Sequence, residues 1–184
     1  MKVLVQTKLS LGRTWPSFAF CPVAELISTI DIDSHTRREL YAVDIDANQL
    51  QLSNLNKHER DTIVENGVIV HDQILSIEKI RIDNILIDLN IVLPFISYTP
   101  HYHQGYLDYC KNNNVDTANT INTYDLHFNG IWQFEFELPF WSWYHQLRLM
   151  DLTRGLNQSQ IERYIGQFDT ETKQMLIALK EYVK

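Results

Sequence analysis

Two histidines in the middle of the chain are the first candidates for chemistry. His101 and His103 form a His-x-His pair, and Asp108 follows them closely. Imidazole nitrogens at this spacing can bind zinc or iron from one strand face or from an irregular loop. No third ligand lies at a diagnostic spacing, and the neighbouring Tyr102 and Tyr106 indicate an aromatic cluster. The pattern therefore favours histidines that edge an aromatic cluster over a metal site.

Cys110 is the candidate nucleophile, with His103 or His145 as its base. A thiolate forms at neutral pH only beside a general base or a positive field. The sequence brings none of these residues together, and Cys21 and Cys110 form no Cys-x-x-Cys motif. Because free cysteine is among the most buried residue types, we expect both cysteines to be buried, inert thiols.

A third candidate is the pair of carboxylates in Glu135 and Glu137, which alternate with Phe134 and Phe136. Two carboxylates on one strand face can raise the pKa of one of them for acid and base catalysis. The same alternation is more typical of a solvated strand face, and no glycine-rich phosphate loop accompanies it. The sequence thus contains no complete catalytic motif, no metal site and no cofactor site of its own, and it favours a binding function.

Charge and hydropathy limit the partners that this chain can have. The 184 residues carry 16 Lys+Arg against 23 Asp+Glu, a formal net charge of −7, and no basic run. This balance argues against nucleic acid and favours a basic or neutral partner. The apolar stretch Ile85–Ile96 is interrupted by Asp88 and Asn90, so it does not predict a membrane span. Because residues 1–8 read as an alternating strand and not as a signal peptide, we expect a cytoplasmic protein.

The N-terminal half is predicted to place three helices after that first strand. Proline at position 22 suits a first helical turn, and apolar residues follow it at helical spacing up to Ile30. Asp33 or Ser34 can cap a second helix over 35–43. A third helix is predicted over 53–67, with Asn-Gly as its left-handed stop.

Two short β-type runs come next and supply the predicted binding edge. Val68–Val70 and Ile74–Ile77 are separated by three polar residues, a connection of hairpin length. An exposed hairpin edge accepts an extended peptide as an additional strand through backbone hydrogen bonds. A further β-rich run is predicted over 85–92. The residues predicted to bind peptide are Val68, Ile69, Val70, Ile74, Leu75 and Ile77.

The C-terminal half is rich in aromatic residues. Tyrosines from Tyr98 to Tyr109 recur at helical spacing, residues 133–138 alternate as a strand, and Pro139 can begin a helix. Two more helices are predicted, from Asn157 and from Asp169. Core packing accounts for most of these aromatics, but their density after position 131 exceeds what one helix face can bury. The residues predicted to dock a partner protein are Trp132, Phe134, Trp141, Trp143 and Tyr144.

Together these elements predict an α+β fold. Residues 1–97 would form a winged-helix-like region of helices with a small antiparallel sheet. Residues 98–184 would form a mainly helical, aromatic-rich region tightly docked to the first. We expect the two regions to behave as one cooperative unit, because the chain is close to the common size of a single domain.

This layout resembles the leader-recognition domains of systems that mature ribosomally made peptides. The chain resembles the MbnC family of methanobactin biosynthesis in four features, namely the Cys21-Pro22 helix start, the Asp31-Ile32-Asp33 turn, Arg37-Arg38 and the aromatic second half. The resemblance implies a non-catalytic subunit that forms a heterodimer with an MbnB-like iron-dependent oxidase. It would bind the leader of a precursor peptide and support the conversion of a peptide cysteine to oxazolone and thioamide. The iron would belong to the partner enzyme.

Two other functional classes fit the same sequence. An acidic inhibitor or immunity-type protein would cover a basic target surface, and its complex would be sensitive to salt. A small metal or thiol enzyme would instead use His101, His103 and Cys110.

Overall fold

The computed structural model describes residues 1–117 and 119–154, together with Gln160 and Gly166. Antiparallel strands dominate this part of the chain. The strands are β1 (Lys2–Ser10), β2 (Ser17–Cys21), β3 (Ala24–Asp31), β4 (Thr36–Asp44), β5 (Gln49–Leu55), β6 (Ile63–Glu65), β7 (Val68–His71), β8 (Ile74–Ile82), β9 (Ile85–Leu86), β10 (Ile96–His101), β11 (Asp125–Leu126) and β12 (Asn129–Glu135). The helices are α1 (Leu89–Val92), α2 (Gln104–Asn113) and α3 (Phe140–Thr153), with 3-10 turns at Glu59–Asp61 and Leu93–Phe95.

The larger sheet has the order β11-β8-β1-β4-β3, and β9 pairs with β8 beside this path. All its pairings are antiparallel. Strand β1 lies at its centre, between β8 and β4, and its sequence alternates: Val3, Val5, Thr7 and Leu9 are buried, and the residues between them lie on the other face. The strand predicted over residues 1–8 is therefore confirmed.

The second sheet has the order β10-β12-β5-β2 and is also antiparallel. Its buried residues include Leu50 and Leu52 from β5 and Trp132 and Phe134 from β12. The Trp132 indole is fully buried, and its Nε1 donates a hydrogen bond to the Thr123 carbonyl at 3.0 Å. Burying the ring while satisfying its N–H is the arrangement that makes tryptophan a good core residue.

A separate two-stranded sheet consists of β6 and β7. The turn between them is Asn66-Gly67, with φ of 51° and 79°. Positive φ at both central residues is the requirement of a type I′ hairpin turn, for which Asn-Gly is the preferred sequence. The helix predicted over 53–67 is therefore wrong, because the residues read as a helix stop form a hairpin turn.

The predicted α+β, winged-helix-like fold is contradicted, since the described chain is built mostly of antiparallel sheets. The helices predicted after Pro22 and over 35–43 are the strands β3 and β4. Residues 22–30 fit the helical spacing of apolar side chains, but β-branched residues such as Ile27, Thr29 and Ile30 favour strands. Pairing with β4, which no local pattern reveals, decides the outcome.

The C-terminal half is not mainly helical in the described residues. It contributes β10, β11 and β12 to the two larger sheets, along with α2 and α3. The strand predicted over 133–138 overlaps β12, and the helix predicted from Pro139 is α3. The predicted β-run over 85–92 is only the two-residue β9 followed by α1. The helices predicted from Asn157 and Asp169 lie outside the described residues.

Residues 1–143 form one compact unit, and residues 144–184 form another. The domain boundary predicted between 97 and 98 falls inside β10, which pairs along its length with β12. Within the described residues, no helix is long and apolar enough to cross a bilayer.

Candidate functional site

A groove of about 570 Å³ lies beside the β6–β7 hairpin. Val64 and Ile69, which are partners across the hairpin, form its apolar wall, and Tyr106 and Phe128 form an aromatic wall. Asp72, in the turn between β7 and β8, lies among its polar residues. Val64 and Ile69 are 54% and 60% exposed, so the groove is open to solvent.

A buried ion pair supports the polar side of the groove. Lys57 Nζ lies 2.7 Å from Asp72 Oδ1 and also donates to the Gln73 carbonyl at 2.9 Å. Thr62 Oγ1 donates to the same Asp72 oxygen at 2.6 Å, and His127 Nδ1 lies 3.8 Å from the other oxygen. The Lys57 side chain is 5% exposed and that of Asp72 is 14% exposed, so each charge depends on the other for compensation while Asp72 still borders the groove.

These partners set the charge state of Asp72. Burial alone would raise its pKa, but the nearby His127 and the hydrogen bonds from Lys57 and Thr62 outweigh burial and lower the pKa to about 2. The carboxylate is therefore ionised at neutral pH. A ligand in the groove meets a fixed pair of opposite charges.

Amide and hydroxyl side chains hold the backbone around this pair. Asn129 Oδ1 accepts from the Lys57 N–H at 2.7 Å, and Asn129 Nδ2 donates to the Lys57 carbonyl at 2.8 Å. The Tyr98 hydroxyl donates to the Phe128 carbonyl at 2.6 Å, and Asn54 Nδ2 donates to that carbonyl at the same distance. The groove residues thus rest on strands β5, β10 and β12, and their positions are fixed by the sheet.

Phe128 is the centre of the aromatic wall. Its ring centroid lies 4.9 Å from that of Tyr102 and 4.7 Å from that of Tyr106. Lys57 Nζ lies 5.8 Å from the same centroid, within cation–π range. The ring therefore contacts both the aromatic cluster and the ion pair, and it joins the apolar and polar parts of the groove.

His103 and Glu59 form the rim of the groove at the start of α2. His103 Nδ1 accepts the Tyr106 N–H at 3.1 Å, which caps the helix, and the same nitrogen lies 2.8 Å from Glu59 Oε1. One nitrogen cannot accept from Tyr106 and donate to Glu59 at once, so the partner of Nδ1 depends on whether that nitrogen carries a hydrogen. The Gly105 N–H also donates to Glu59 Oε1, at 3.2 Å. Glu59 is 60% exposed and presents its carboxylate to incoming molecules.

Chemically, the groove suits a ligand with an apolar part and a basic group. The hairpin and Phe128 offer apolar surface, and Glu59 offers an accessible acceptor. Across residues 1–117 and 119–154, no group of three or more His, Cys, Asp or Glu side chains is arranged to hold a metal ion. The groove combines apolar and aromatic surface with polar and charged side chains that can orient a ligand.

The residues predicted to bind peptide fall on two different strands. Val68, Ile69 and Val70 lie in β7 and are exposed, and Ile69 lines the groove. Ile74, Leu75 and Ile77 lie in β8, where Leu75 and Ile77 are buried. The two runs do not pair with each other as predicted: β7 pairs with β6, and β8 pairs with β1 and β11. Residues 74–77 therefore offer no free strand edge to a peptide.

The aromatic residues predicted to dock a partner are largely interior. Trp132, Phe134, Trp143 and Tyr144 are all at most 6% exposed. Phe134 and Trp143 contact each other and Phe136 within the core. Trp141 is half-buried, and its Nε1 donates to Asp83 Oδ2 at 3.2 Å. Trp132, Phe134 and Trp143 are therefore core residues, and the five predicted side chains do not form an exposed aromatic patch.

The candidates for chemistry are dispersed. His101 is exposed at the end of β10, and only His103 of the pair lines the groove. Cys110 is buried beside Tyr106, whereas Cys21, predicted to be buried, is exposed. Glu135 and Glu137 are both exposed.

Sequence reasoning missed most of the groove. Lys57, Asp72 and the adjacent His127 and Phe128 come from three separate loops and belong to no motif. The only local signal was the polar connection at residues 71–73, which was read as a hairpin loop. Residues that meet through loops leave no periodic pattern, because their proximity arises from the pairing of distant strands.

No protein-family profile matches this chain, and neither a curated protein nor a solved structure is found to be similar to it. The functional argument therefore rests on the geometry of the groove.

Proposed function

We propose that this chain is a non-catalytic binding subunit that takes a peptide segment of a partner into the groove beside the β6–β7 hairpin. The observation that carries the proposal is the pairing of an exposed apolar wall, Val64 and Ile69, with an aromatic wall centred on Phe128. Exposed aliphatic side chains beside an open groove are costly to leave in water, and they mark interaction sites.

The ligand has three features on this account. It carries an apolar side chain that inserts between Ile69 and Phe128. It carries a lysine, an arginine or a free amine that approaches Glu59, because that carboxylate is the exposed charge of the rim. It is extended, because β6 and β7 pair only with each other among the described residues and so leave backbone groups for a further strand.

The leader of a ribosomal precursor peptide is the specific ligand that the MbnC resemblance implies, with an iron-dependent oxidase as the partner enzyme in the cytoplasm. The structure has strands where the resemblance implied helices. The narrower proposal, in which the ligand is the leader of a precursor peptide, is therefore supported by the groove alone. It is tested by co-expressing the chain with its operon neighbours. Recovery of a stoichiometric iron enzyme, together with binding of a cysteine-containing precursor, supports it, and a partnerless chain contradicts it.

The general proposal is tested by selecting peptides from a displayed random library on the purified chain. We expect enriched peptides to combine an aliphatic or aromatic residue with a lysine or arginine. Removing most of the Ile69 side chain in Ile69→Ala should weaken binding of a selected peptide by about tenfold, because about 1.4 kcal/mol of apolar contact is lost. The affinity is measured by fluorescence anisotropy of the labelled peptide.

Val68→Ala is the matched control. Val68 lies next to Ile69 in the same strand, is similarly exposed, and points to the opposite face of the hairpin. We expect this variant to bind within about twofold of the parent chain, which corresponds to about 0.4 kcal/mol of binding energy. Equal losses in both variants, or unchanged binding in Ile69→Ala, would show that the peptide does not occupy the groove.

A further inference from the structure

Strand β3 is an edge strand with unusual exposure. It closes one end of the larger sheet and pairs only with β4 among the described residues. Seven of its eight residues are exposed, and only Ala24 is half-buried. Leu26, Ile27 and Ile30 are 50%, 49% and 63% exposed. Its free edge therefore combines unpaired backbone groups with aliphatic side chains, which is the form that accepts another strand.

The regular part of this edge is its second half. The register with β4 shifts between Leu26 and Ser28, so Ile27 sits in a bulge. From Ser28 to Asp31 the strand pairs without interruption. A bulge protects an edge locally by twisting it, so an incoming strand is expected along 28–31 with Ile30 at its centre.

Charge decides what kind of strand fits. Arg37 and Arg38 lie opposite Asp31 and Ile30 in the register, but Arg37 pairs with Glu39 at 2.9 Å and Arg38 with Glu78 at 2.6 Å. In the described part of the chain, neither Glu25 nor Asp31 has a Lys, Arg or His partner within salt-bridge distance. The edge therefore carries two uncompensated carboxylates around its aliphatic residues.

A second copy of the chain is a poor occupant. Antiparallel pairing of β3 with its own copy along residues 28–31 sets each Asp31 opposite Ser28 of the other copy, so neither carboxylate meets a basic residue. The formal net charge of −7 on each copy adds long-range repulsion.

We infer that β3 is a second interaction surface, which binds an extended segment of another protein in which basic residues alternate with aliphatic ones. An aliphatic residue of that segment packs on Ile30, and its basic residues approach Asp31 and Glu25. This surface is separate from the groove, so it gives the chain two places for partners.

The probe is a short, labelled synthetic peptide that alternates lysine and valine, compared with one that alternates glutamate and valine. We expect the lysine peptide to bind and the glutamate peptide not to bind. Ile30→Lys should weaken binding of the lysine peptide by at least about tenfold, because it sets like charges together and removes the apolar contact. Val115→Lys, which charges an exposed aliphatic residue outside the sheets, should leave binding unchanged.

Further measurements distinguish binding at β3 from binding in the groove and from pairing of two copies of the chain. Hydrogen exchange of the complex should slow at residues 28–31, and the groove variant Ile69→Ala should bind the lysine peptide normally. Sedimentation of the chain alone should give a monomer. Equal binding of both peptides, unchanged binding by Ile30→Lys, or a dimer that Ile30→Lys dissociates would overturn the inference.

Discussion

At the scale of single residues, Asp72 is the group whose environment is most specific. Its carboxylate accepts hydrogen bonds from Thr62 and Lys57 and lies near His127, and its pKa falls to about 2 although burial opposes ionisation. The unperturbed pKa is 3.8, so ionised Asp72 stabilises the folded state at neutral pH. That contribution is fully present above pH 4 or so and is lost as the pH falls through the native pKa.

Asp72→Asn should therefore lower the free energy of unfolding at pH 7 by about 2 kcal/mol, because the carboxylate loses its charge-assisted hydrogen bonds from Lys57 and Thr62. The variant also leaves the buried Lys57 ammonium without its counter-ion. Urea titrations from pH 7 downward measure the difference between variant and parent. We expect the difference to shrink as the pH falls below 4.

Asp46→Asn is the control, because Asp46 is exposed and the substitution removes the same type of charge. It should change the unfolding free energy by less than about 0.5 kcal/mol. A difference for Asp72→Asn that does not vary with pH would mean that the ionised carboxylate is not the source of the stabilisation.

At the scale of elements, the groove depends on how a loop contacts the turn that carries Glu59. Gly12 lies against the backbone of Asp61, and a Cβ at position 12 would overlap the Asp61 carbonyl oxygen and crowd the Gln73 N–H. Gly12→Ala should displace the 3-10 turn at Glu59–Asp61. We expect a loss of about 1 to 3 kcal/mol in unfolding free energy, measured in urea, because overpacked sites relax only by shifting the backbone.

The same variant tests how the loop affects binding. Peptide affinity should fall along with stability, since Glu59 moves with the turn. Gly67→Ala is the comparison: its Cβ would meet nothing within 4 Å, but its φ of 79° would strain an alanine. Loss of stability in Gly12→Ala with full peptide affinity would show that Glu59 is not positioned by this contact.

Local pattern predicted some elements and failed at others for a physical reason. The strict alternation of β1 and the proline before α3 are local signals, and both elements are present. Asn66-Gly67 carries a real signal of positive φ, but the same residues end a helix or turn a hairpin. Distant partners decide between these outcomes. The groove was beyond prediction for the same reason, because Lys57 and Asp72 meet only after β5 and β8 have joined their sheets.

At the scale of the whole molecule, net charge affects how partners arrive. The chain has a formal net charge of −7, and both proposed surfaces favour basic segments. Raising the salt concentration shortens the Debye length to about 8 Å at physiological ionic strength, which screens attraction at a distance. We expect the association rate of a selected basic peptide to fall several-fold between low and physiological salt, with a smaller change in its dissociation rate.

Stopped-flow measurements at several salt concentrations separate the two rates. A neutral peptide of the same apolar sequence should show no such trend. An association rate independent of salt would argue against electrostatic attraction by this chain. The acidic-inhibitor hypothesis predicts the same sensitivity to salt, so these rates do not choose between the two functions.

The place where the peptide binds distinguishes the peptide-binding function from the acidic-inhibitor function. Hydrogen exchange of the chain with and without a selected peptide measures that place most directly. The proposal predicts slower exchange in β7 and at the start of α2, where Ile69 and Tyr106 line the groove, and unchanged exchange in β3. Slower exchange confined to other parts of the chain, with β7 unaffected, would contradict peptide binding beside the β6–β7 hairpin.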